Sequence, residues 1–140
     1  MAYLVSSPGS CGEFIQGYGE GSSFMVTCPI DRFSYALSDF GAPGDKLLPK
    51  AEMAMERTLS YLGEEEKTLP LRLKSYIRKG KGMASSTADI NSIAQAVALA
   101  CGRKLSVREI AKIALTIEPS DAACFKGIVQ FDYREGRLIR

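Results

Sequence analysis

One segment constrains the fold of this chain more than any other. In it a strand is followed directly by a glycine-rich basic loop and then by a long helix. Residues 69–77 alternate apolar and polar side chains, which is typical of a strand. Residues 79–89 begin as a loop with two lysines and two glycines, and apolar residues then recur at helical spacing from residue 90 to Cys101. Gly102 follows as a helix stop signal. The pattern therefore predicts that the loop lies at the N-terminus of a helix.

The start of this helix is a candidate anion site. Backbone N–H groups at a helix start lack partners and carry the positive end of the helix dipole. Gly80 and Gly82 let the backbone approach a ligand closely, and Lys79 and Lys81 add positive charge. Three hydroxyl side chains follow, which either cap the helix or donate to phosphate oxygens: Ser85, Ser86 and Thr87. On local features alone, an ordinary capped helix after a basic turn stays equally open.

The rest of the pattern predicts a single α+β domain over residues 1–140. Alternation and turn residues predict strands at residues 2–6, 14–18, 24–30, 32–38 and 125–133, and the start of another at 137–140. Helical spacing predicts a helix that begins at Asp45 or Pro49 and ends at Gly63. Ser106 and Glu109 have capping-box spacing and open a further helix, which Pro119 stops. Because the chain ends inside an apparent hairpin, we expect a continuation downstream.

Composition limits the classes of function. The 18 lysines and arginines exceed the 16 acidic residues by two, and a net charge of +2 is too small by itself to imply a nucleic-acid or membrane partner. No apolar run reaches membrane-spanning length, and the N-terminus lacks the layout of a signal peptide. We therefore expect a cytoplasmic protein with no membrane partner.

Histidine is absent from the chain, which excludes Ser–His and Cys–His catalytic systems and His-bound metals within it. Four scattered cysteines without a Cys-x-x-Cys pair argue against a zinc site, and we expect reduced thiols: Cys11, Cys28, Cys101 and Cys124. Any side chain of this protein that transfers a proton in catalysis must then be Asp, Glu, Lys, Tyr or Cys. Phosphoryl transfer tolerates this, because it depends mainly on positioning and charge neutralisation.

Three short segments carry more Gly, Ser and acidic residues than a core needs. They are residues 8–13 (Pro-Gly-Ser-Cys-Gly-Glu), the loop at residues 79–89, and residues 118–121 (Glu-Pro-Ser-Asp), and each lies between predicted elements. The first and third segments taken singly are ordinary turn chemistry. Together and in this order, the three resemble motifs of the GHMP kinase superfamily, which includes homoserine, mevalonate and galactose kinases.

Within that superfamily the chain most resembles the L-threonine kinase family of cobalamin biosynthesis. Residues 7–17 followed by residues 26–31 resemble the amino-terminal signature of that family, and residues 80–89 and 118–121 resemble its next two blocks. The resemblance covers nearly the whole chain. It implies an α+β fold like domain 2 of ribosomal protein S5, as the N-terminal domain of an ATP-dependent kinase that phosphorylates a small hydroxyl compound, most simply L-threonine.

The resemblance also implies roles for individual residues. ATP phosphates lie over the second motif: Lys79, Gly80, Lys81, Gly82, Met83, Ala84, Ser85, Ser86 and Thr87. Ser86 is expected near Mg²⁺ and the β- and γ-phosphates, and Glu118 is a candidate Mg²⁺ ligand. Asp121 is expected beside the acceptor hydroxyl as base or orienting group, with Lys81 neutralising developing charge. The first motif supplies the substrate contacts: Ser10, Cys11, Gly12 and Glu13.

The chain departs from the superfamily pattern in two respects. Ala84 replaces a glycine of the usual Gly-Leu-Gly-Ser-Ser core, which stiffens the loop, and the proline that often precedes the loop is absent. Family members also carry a C-terminal domain with a third glycine-rich motif, which this chain lacks. We therefore expect an N-terminal half that binds ATP weakly and phosphorylates little alone, completed by a second domain or chain.

Two alternatives to a kinase stay open. An S5-like module could contact RNA phosphates through a basic cluster: Arg72, Lys74, Arg78, Lys79 and Lys81. The low net charge and the lack of an obvious stacking platform argue against nucleic acid. The other alternative is a non-catalytic chain that pairs with a partner protein. The sequence also leaves serine, homoserine and other small alcohols open as acceptors.

Overall fold

Two strands of 18 residues each are the longest elements of the structure: β1 (Ala2–Gly19) and β2 (Ser22–Asp39). They pair antiparallel along nearly their whole length. Glu20 and Gly21 join them with φ angles of 50° and 82°, the positive values that a two-residue type I′ hairpin turn requires. The structure is a computed structural model that describes residues 1–119 and 122–140, with the side chains of residues 12–14 outside the description.

The prediction of four separate strands before residue 39 is wrong, because they merge into these two. Pro8 pairs with Phe33 and does not end β1, and register shifts between Pro8 and Ile15 absorb the irregular stretch. A proline is tolerated there because β1 is an edge strand, where one side needs no ladder donor. The first motif is therefore a distorted part of a strand, not a turn.

The second edge of β2 pairs with two shorter strands. β3 (Leu71–Ser75) pairs with residues 34–38, and β4 (Val129–Asp132) pairs with residues 25–27. β5 (Arg137–Leu138) extends the sheet beyond β4, and all the pairings are antiparallel. The predicted strand at 125–133 is too long at its start, because Gly127 adopts a φ of 80° that interrupts extended backbone.

Three helices accompany this sheet: α1 (Pro49–Leu62), α2 (Ser85–Ala100) and α3 (Val107–Leu115). Of the two predicted starts for α1, Pro49 is confirmed. The predicted capping box at α3 is confirmed as well: the Glu109 N–H donates to Ser106 Oγ at 3.2 Å, and the Ser106 N–H donates to Glu109 Oε2 at 2.8 Å. Each of these signals acts within one helical turn.

α2 is the central helix. It packs against β1, β2 and α1, and 11 of its 16 residues are buried. The principal core joins its residues Ile90, Ile93 and Val97 to alanines and leucines of α1, β2 and β3. Helices on one side of an antiparallel sheet make an α+β domain, as predicted. Among the helices of the described ranges, none is long and apolar enough to cross a membrane.

The two faces of β2 differ in side-chain size. Ser34, Ala36 and Ser38 are fully buried on the face towards α2, where small side chains let helix and sheet approach closely. Phe33 and Tyr35 lie on the opposite face, with ring centroids 6.2 Å apart, and the Tyr76 ring meets Tyr35 edge-on at 5.8 Å. These three rings form an aromatic face. The expectation that nucleic acid is not a partner stays a prediction.

Candidate functional site

The loop before α2 has a run of left-handed backbone conformations. Gly80, Gly82 and Ala84 have φ angles of 69°, 68° and 54°. Ala84 occupies the cap position, and its methyl side chain accepts no hydrogen bond from the helix. Ser85 is already the first helical residue, so the alternative in which Ser85, Ser86 or Thr87 caps the helix is wrong. The first N–H groups of α2 are therefore left to bind another acceptor.

Ser86 has a hydroxyl in need of a partner. Its Oγ is buried and makes no hydrogen bond within residues 1–119 and 122–140. A buried hydroxyl without a partner is uncommon in folded proteins and points to a missing ligand, ion or water. Ser86 lies in the first turn of α2, where the helix dipole favours an anion.

Ser86 lines a cavity of about 420 Å³ between the start of α1 and the start of α2. The walls of this cavity are mostly apolar, and its few polar side chains come from the starts of the two helices and from Lys79. Its lining residues are Leu48, Pro49, Lys50, Ala51, Leu73, Lys79, Ser85, Ser86, Asp89 and Ile90. The volume and the few convergent polar groups are typical of a small-molecule site. Lys81 is exposed in the same loop and is outside this lining.

Asp89 brings a buried carboxylate to this cavity. The residue is 8% exposed, and its Oδ1 accepts a hydrogen bond from Ser34 Oγ at 2.5 Å. Burial raises the pKa of the Asp89 carboxyl, although the Ser34 hydrogen bond and the Lys79 charge both act to lower it. Asp89 and Ser34 were absent from the predicted site. The sequence did contain a signal for Asp89, because this acidic residue stands next to the apolar pattern of the predicted helix.

Lys50 links the third motif to the same cavity. It stands in the first turn of α1, lines the cavity, and forms an ion pair with Glu118, whose side chain is 15% exposed. The predicted metal ligand Glu118 is thus placed beside the α1 end of the cavity. Ser120 and Asp121 lie outside the described residues, so the predicted role of Asp121 stays a prediction.

The first motif lies directly against the second. The Ser10 N–H donates to the Met83 carbonyl at 3.0 Å, and Ser10 is 1% exposed. A Cβ on Gly9 would lie 2.5 Å from the same carbonyl oxygen, so only glycine allows this approach. Cys11 is exposed, and the side chains of Gly12 and Glu13 are outside the description. The predicted substrate contacts are therefore next to the loop, but their chemistry stays a prediction.

Cys28 lies opposite the first motif on β2. Partial burial is the main cause that raises the pKa of the Cys28 thiol, and the neighbouring Cys11 thiol raises it further. A raised pKa keeps the thiol protonated and weakly nucleophilic at neutral pH. The geometry gives no reason to assign Cys28 a nucleophilic role.

The start of α2 and the polar side chains around it suit a phosphate group and a divalent cation. Helix N–H groups, the Ser86 hydroxyl and Lys79 offer donors and positive charge for an anion. Within the described ranges, no three acidic or cysteine side chains cluster so as to hold a metal alone. Mg²⁺ fits this donor set, because it commonly takes one or two protein oxygens and completes its shell with phosphate and water.

More than half of the chain matches a known family. Residues 48–127 match the family described as GHMP kinases N terminal domain. This range contains α1, the loop and α2, and therefore most of the cavity described above.

Similarity over most of this chain is found to two bacterial proteins named L-threonine kinase. The protein of Salmonella typhimurium is 36% identical over 133 residues, which are 93% of this chain and 44% of that protein. The protein of Citrobacter freundii is 34% identical over 133 residues, which are 93% of this chain and 46% of that protein. The chain thus spans less than half the length of these relatives.

A crystal structure of mevalonate kinase has a similar fold, with a TM-score of 0.76 at 19% identity. The similarity covers 99% of this chain and 55% of that chain. At this identity the likeness concerns the fold alone, and it agrees with the predicted α+β class.

Proposed function

The chain belongs to the GHMP kinase family, and from this premise we propose that it binds Mg-ATP in the cavity between α1 and α2 for transfer of the γ-phosphoryl group to a small hydroxyl compound. One observation carries the proposal: at a helix start that no side chain caps, the Ser86 hydroxyl is buried and has no partner among residues 1–119 and 122–140. The apolar walls of the cavity suit a nucleobase, and the start of α2 suits phosphates.

Each polar group around the cavity has a role in this proposal. The N–H groups at the start of α2 and the Lys79 ammonium bind phosphate oxygens, and Lys81 approaches from the exposed side of the loop. Ser86 and Glu118 would hold Mg²⁺. When bound, the ion supplies charge neutralisation for the phosphates. Glu118 would have to exchange its ion pair with Lys50 for the metal.

We propose L-threonine as the acceptor. The names of the two relatives support this choice, and the resemblance adds a place in cobalamin biosynthesis. Asp121 would orient or deprotonate the acceptor hydroxyl, and residues 10–13 would contact the acceptor. Since the relatives are more than twice as long as the matched region, full turnover would need the counterpart of their remaining part.

The variant S86A tests the nucleotide site, with S38A as the matched control. Among the described residues the Ser38 Oγ is likewise buried without a partner, but Ser38 lies in β2 and does not line the cavity. Isothermal titration calorimetry should show Mg-ATP binding about tenfold weaker in S86A and nearly unchanged in S38A. S86A should unfold at an equal or higher temperature than the wild type, because it removes a buried hydroxyl without a partner. Mg-ATP binding by S86A at wild-type affinity would contradict the proposal.

The acceptor is tested separately. The chain, supplied with the remaining part of a relative, is assayed for ATP-dependent phosphorylation of L-threonine, L-serine and L-homoserine. Preference for L-threonine supports the acceptor assignment. Equal rates with all three, or no transfer to any, would contradict it while leaving the binding experiment to decide the nucleotide site.

A second candidate function is favoured by the aromatic face formed by Phe33, Tyr35 and Tyr76. The Lys74 ammonium lies 5.1 Å from the centre of the Tyr76 ring, and Arg72 stands on the same side of β3. Tyr76 is exposed and Phe33 and Tyr35 are half-buried, and such rings beside basic side chains suit single-stranded RNA. Fluorescence anisotropy with a single-stranded RNA tests this. Salt-dependent binding that Y76A weakens would support it, and no binding at low salt would exclude it.

A further inference from the structure

Asp89 presents a physical problem for an anion site. The residue lines the cavity that Lys79 and Ser86 also line, and its negative charge would repel a phosphate there. The residue is nevertheless buried, at a cost in desolvation. Such a group either weakens the site or acts on another charged group within it.

A hydrogen bond fixes the Asp89 carboxylate. Ser34 is fully buried in β2, and its Oγ donates to Asp89 Oδ1 at 2.5 Å. The backbone of Asp89 is fixed within α2, and its carbonyl accepts a hydrogen bond from Ser92 Oγ at 3.0 Å. In contrast, Lys79 is exposed in the loop before α2, where a long side chain retains rotamer freedom.

Lys79 and Asp89 meet at two cavities. Both line the cavity of about 420 Å³ described above, and both line an adjoining cavity of about 260 Å³ between β3 and the start of α1. After burial and the Ser34 hydrogen bond, the Lys79 charge is a further influence on the pKa of the Asp89 carboxyl, and it acts to lower that pKa.

We propose that Asp89, fixed by Ser34, is a positioning residue that holds the Lys79 ammonium beside the start of α2. The carboxylate attracts the ammonium and directs it towards the cavity. The Lys79 side chain is then already ordered when the phosphates bind, so less side-chain freedom is lost on binding. The consequence for nucleotide binding rests on the proposed function, whereas the attraction between the two groups requires no nucleotide.

The pairing is tested first without nucleotide, with Lys81 as the matched control in the same loop. The protein is treated with limiting acetylating reagent, and the rates at Lys79 and Lys81 are compared by mass spectrometry. An ammonium bound by a carboxylate is less available to the reagent, so Lys79 should react several-fold more slowly than Lys81. In D89N the two rates should become similar. Equal rates in the wild-type protein, or no change in D89N, would overturn the pairing.

The consequence is tested by Mg-ATP binding to D89N. The asparagine oxygen can still accept from Ser34, so this variant changes charge with little change in shape. If Asp89 acts through Lys79, the Kd should rise about tenfold, and D89N should have no further effect in a K79M background. A lower Kd in D89N would show that the carboxylate only repels phosphate and would overturn the inference.

Failure of the proposed function gives a different pattern. If the wild-type protein binds no Mg-ATP while D89N still changes the relative reactivity of Lys79, then the pairing holds and the nucleotide site is wrong. Thermal unfolding of D89N checks its fold, and S34A provides a second variant. Loss of the Ser34 donor should raise Lys79 reactivity less than D89N does, because the charge of Asp89 remains.

Discussion

The contact between the first motif and the loop makes Gly9 the most sensitive position of the first motif. The variant G9A would place a Cβ 2.5 Å from the Met83 carbonyl oxygen, and Ile77 methyl carbons at 3.1 and 3.3 Å block the alternative direction. Real Cβ atoms essentially never approach a neighbour within 3.0 Å. Strand and loop must therefore separate by about 0.5 Å or more, which a densely packed interior resists.

Two effects lower the free energy of unfolding of G9A, and a third effect partly offsets them. Overpacking costs about 1–3 kcal/mol, and weakening the 3.0 Å hydrogen bond from the Ser10 N–H to Met83 adds about 1 kcal/mol. Replacing glycine by alanine offsets about 0.4–1 kcal/mol of this by restricting the unfolded chain. We expect G9A to lose about 1–3 kcal/mol of unfolding free energy, a decrease in Tm of roughly 5–10 °C. A loop displaced by about 0.5 Å should bind Mg-ATP about tenfold more weakly.

Urea unfolding and calorimetric titration with Mg-ATP measure both effects, and G17A is the matched control in the same strand. A Cβ on Gly17 would meet Phe24 ring atoms at 3.5 and 3.6 Å, which is ordinary contact. G17A should therefore stay within about 0.5 kcal/mol of the wild type and bind Mg-ATP equally well. If G9A behaves like G17A in both assays, the first motif does not pack on the loop through Met83, and the reasoning is refuted.

Three further predictions concern the caps and a thiol. A84G should raise the free energy of unfolding, measured in urea, by about 0.5 kcal/mol, because removing a strained left-handed alanine slightly outweighs the added freedom of the unfolded chain. G82A should lower the same free energy by about 1 kcal/mol, because it places an alanine in a left-handed conformation. Equal effects of the two variants would contradict the loop conformation. S106A should lose about 1 kcal/mol by the same assay, since it removes the acceptor of the Glu109 N–H, and an unchanged midpoint would argue against that cap. Because the pKa of the Cys28 thiol is raised, iodoacetamide should alkylate Cys28 more slowly than a peptide thiol at pH about 8.5, and the two rates should become equal only at higher pH. Equal rates at pH about 8.5 would contradict this prediction.

Sequence patterns predicted the helices of this protein well because their signals are local. Pro49 at the start of α1, the Ser106–Glu109 box at α3 and the glycines of the loop each act within about one helical turn. Strand boundaries were predicted less well. A residue such as Pro8 ends a strand or continues it according to whether the strand lies at a sheet edge, and neighbouring residues do not reveal that.

Side-chain alternation in β2 predicted a strand but not its buried face. Large aromatic residues alternate there with small ones, and hydrophobicity alone would bury the rings. The structure buries Ser34, Ala36 and Ser38 instead, because α2 packs too closely on that face for larger side chains. Because this face of β2 is buried against α2, the Ser34 hydroxyl can donate a hydrogen bond to Asp89.

By itself, the sequence determined the loop, the helix that follows it and the resemblance to a kinase family, since all three depend on residues close together in the chain. Only the tertiary structure decided which groups meet at the cavity. The Ser34–Asp89 hydrogen bond joins residues 55 apart, and the Lys50–Glu118 ion pair joins residues 68 apart. No local propensity encodes such distances. They arise when α2 packs onto the sheet and beside α1, because burial of its apolar face brings distant polar groups to the same end of the helix.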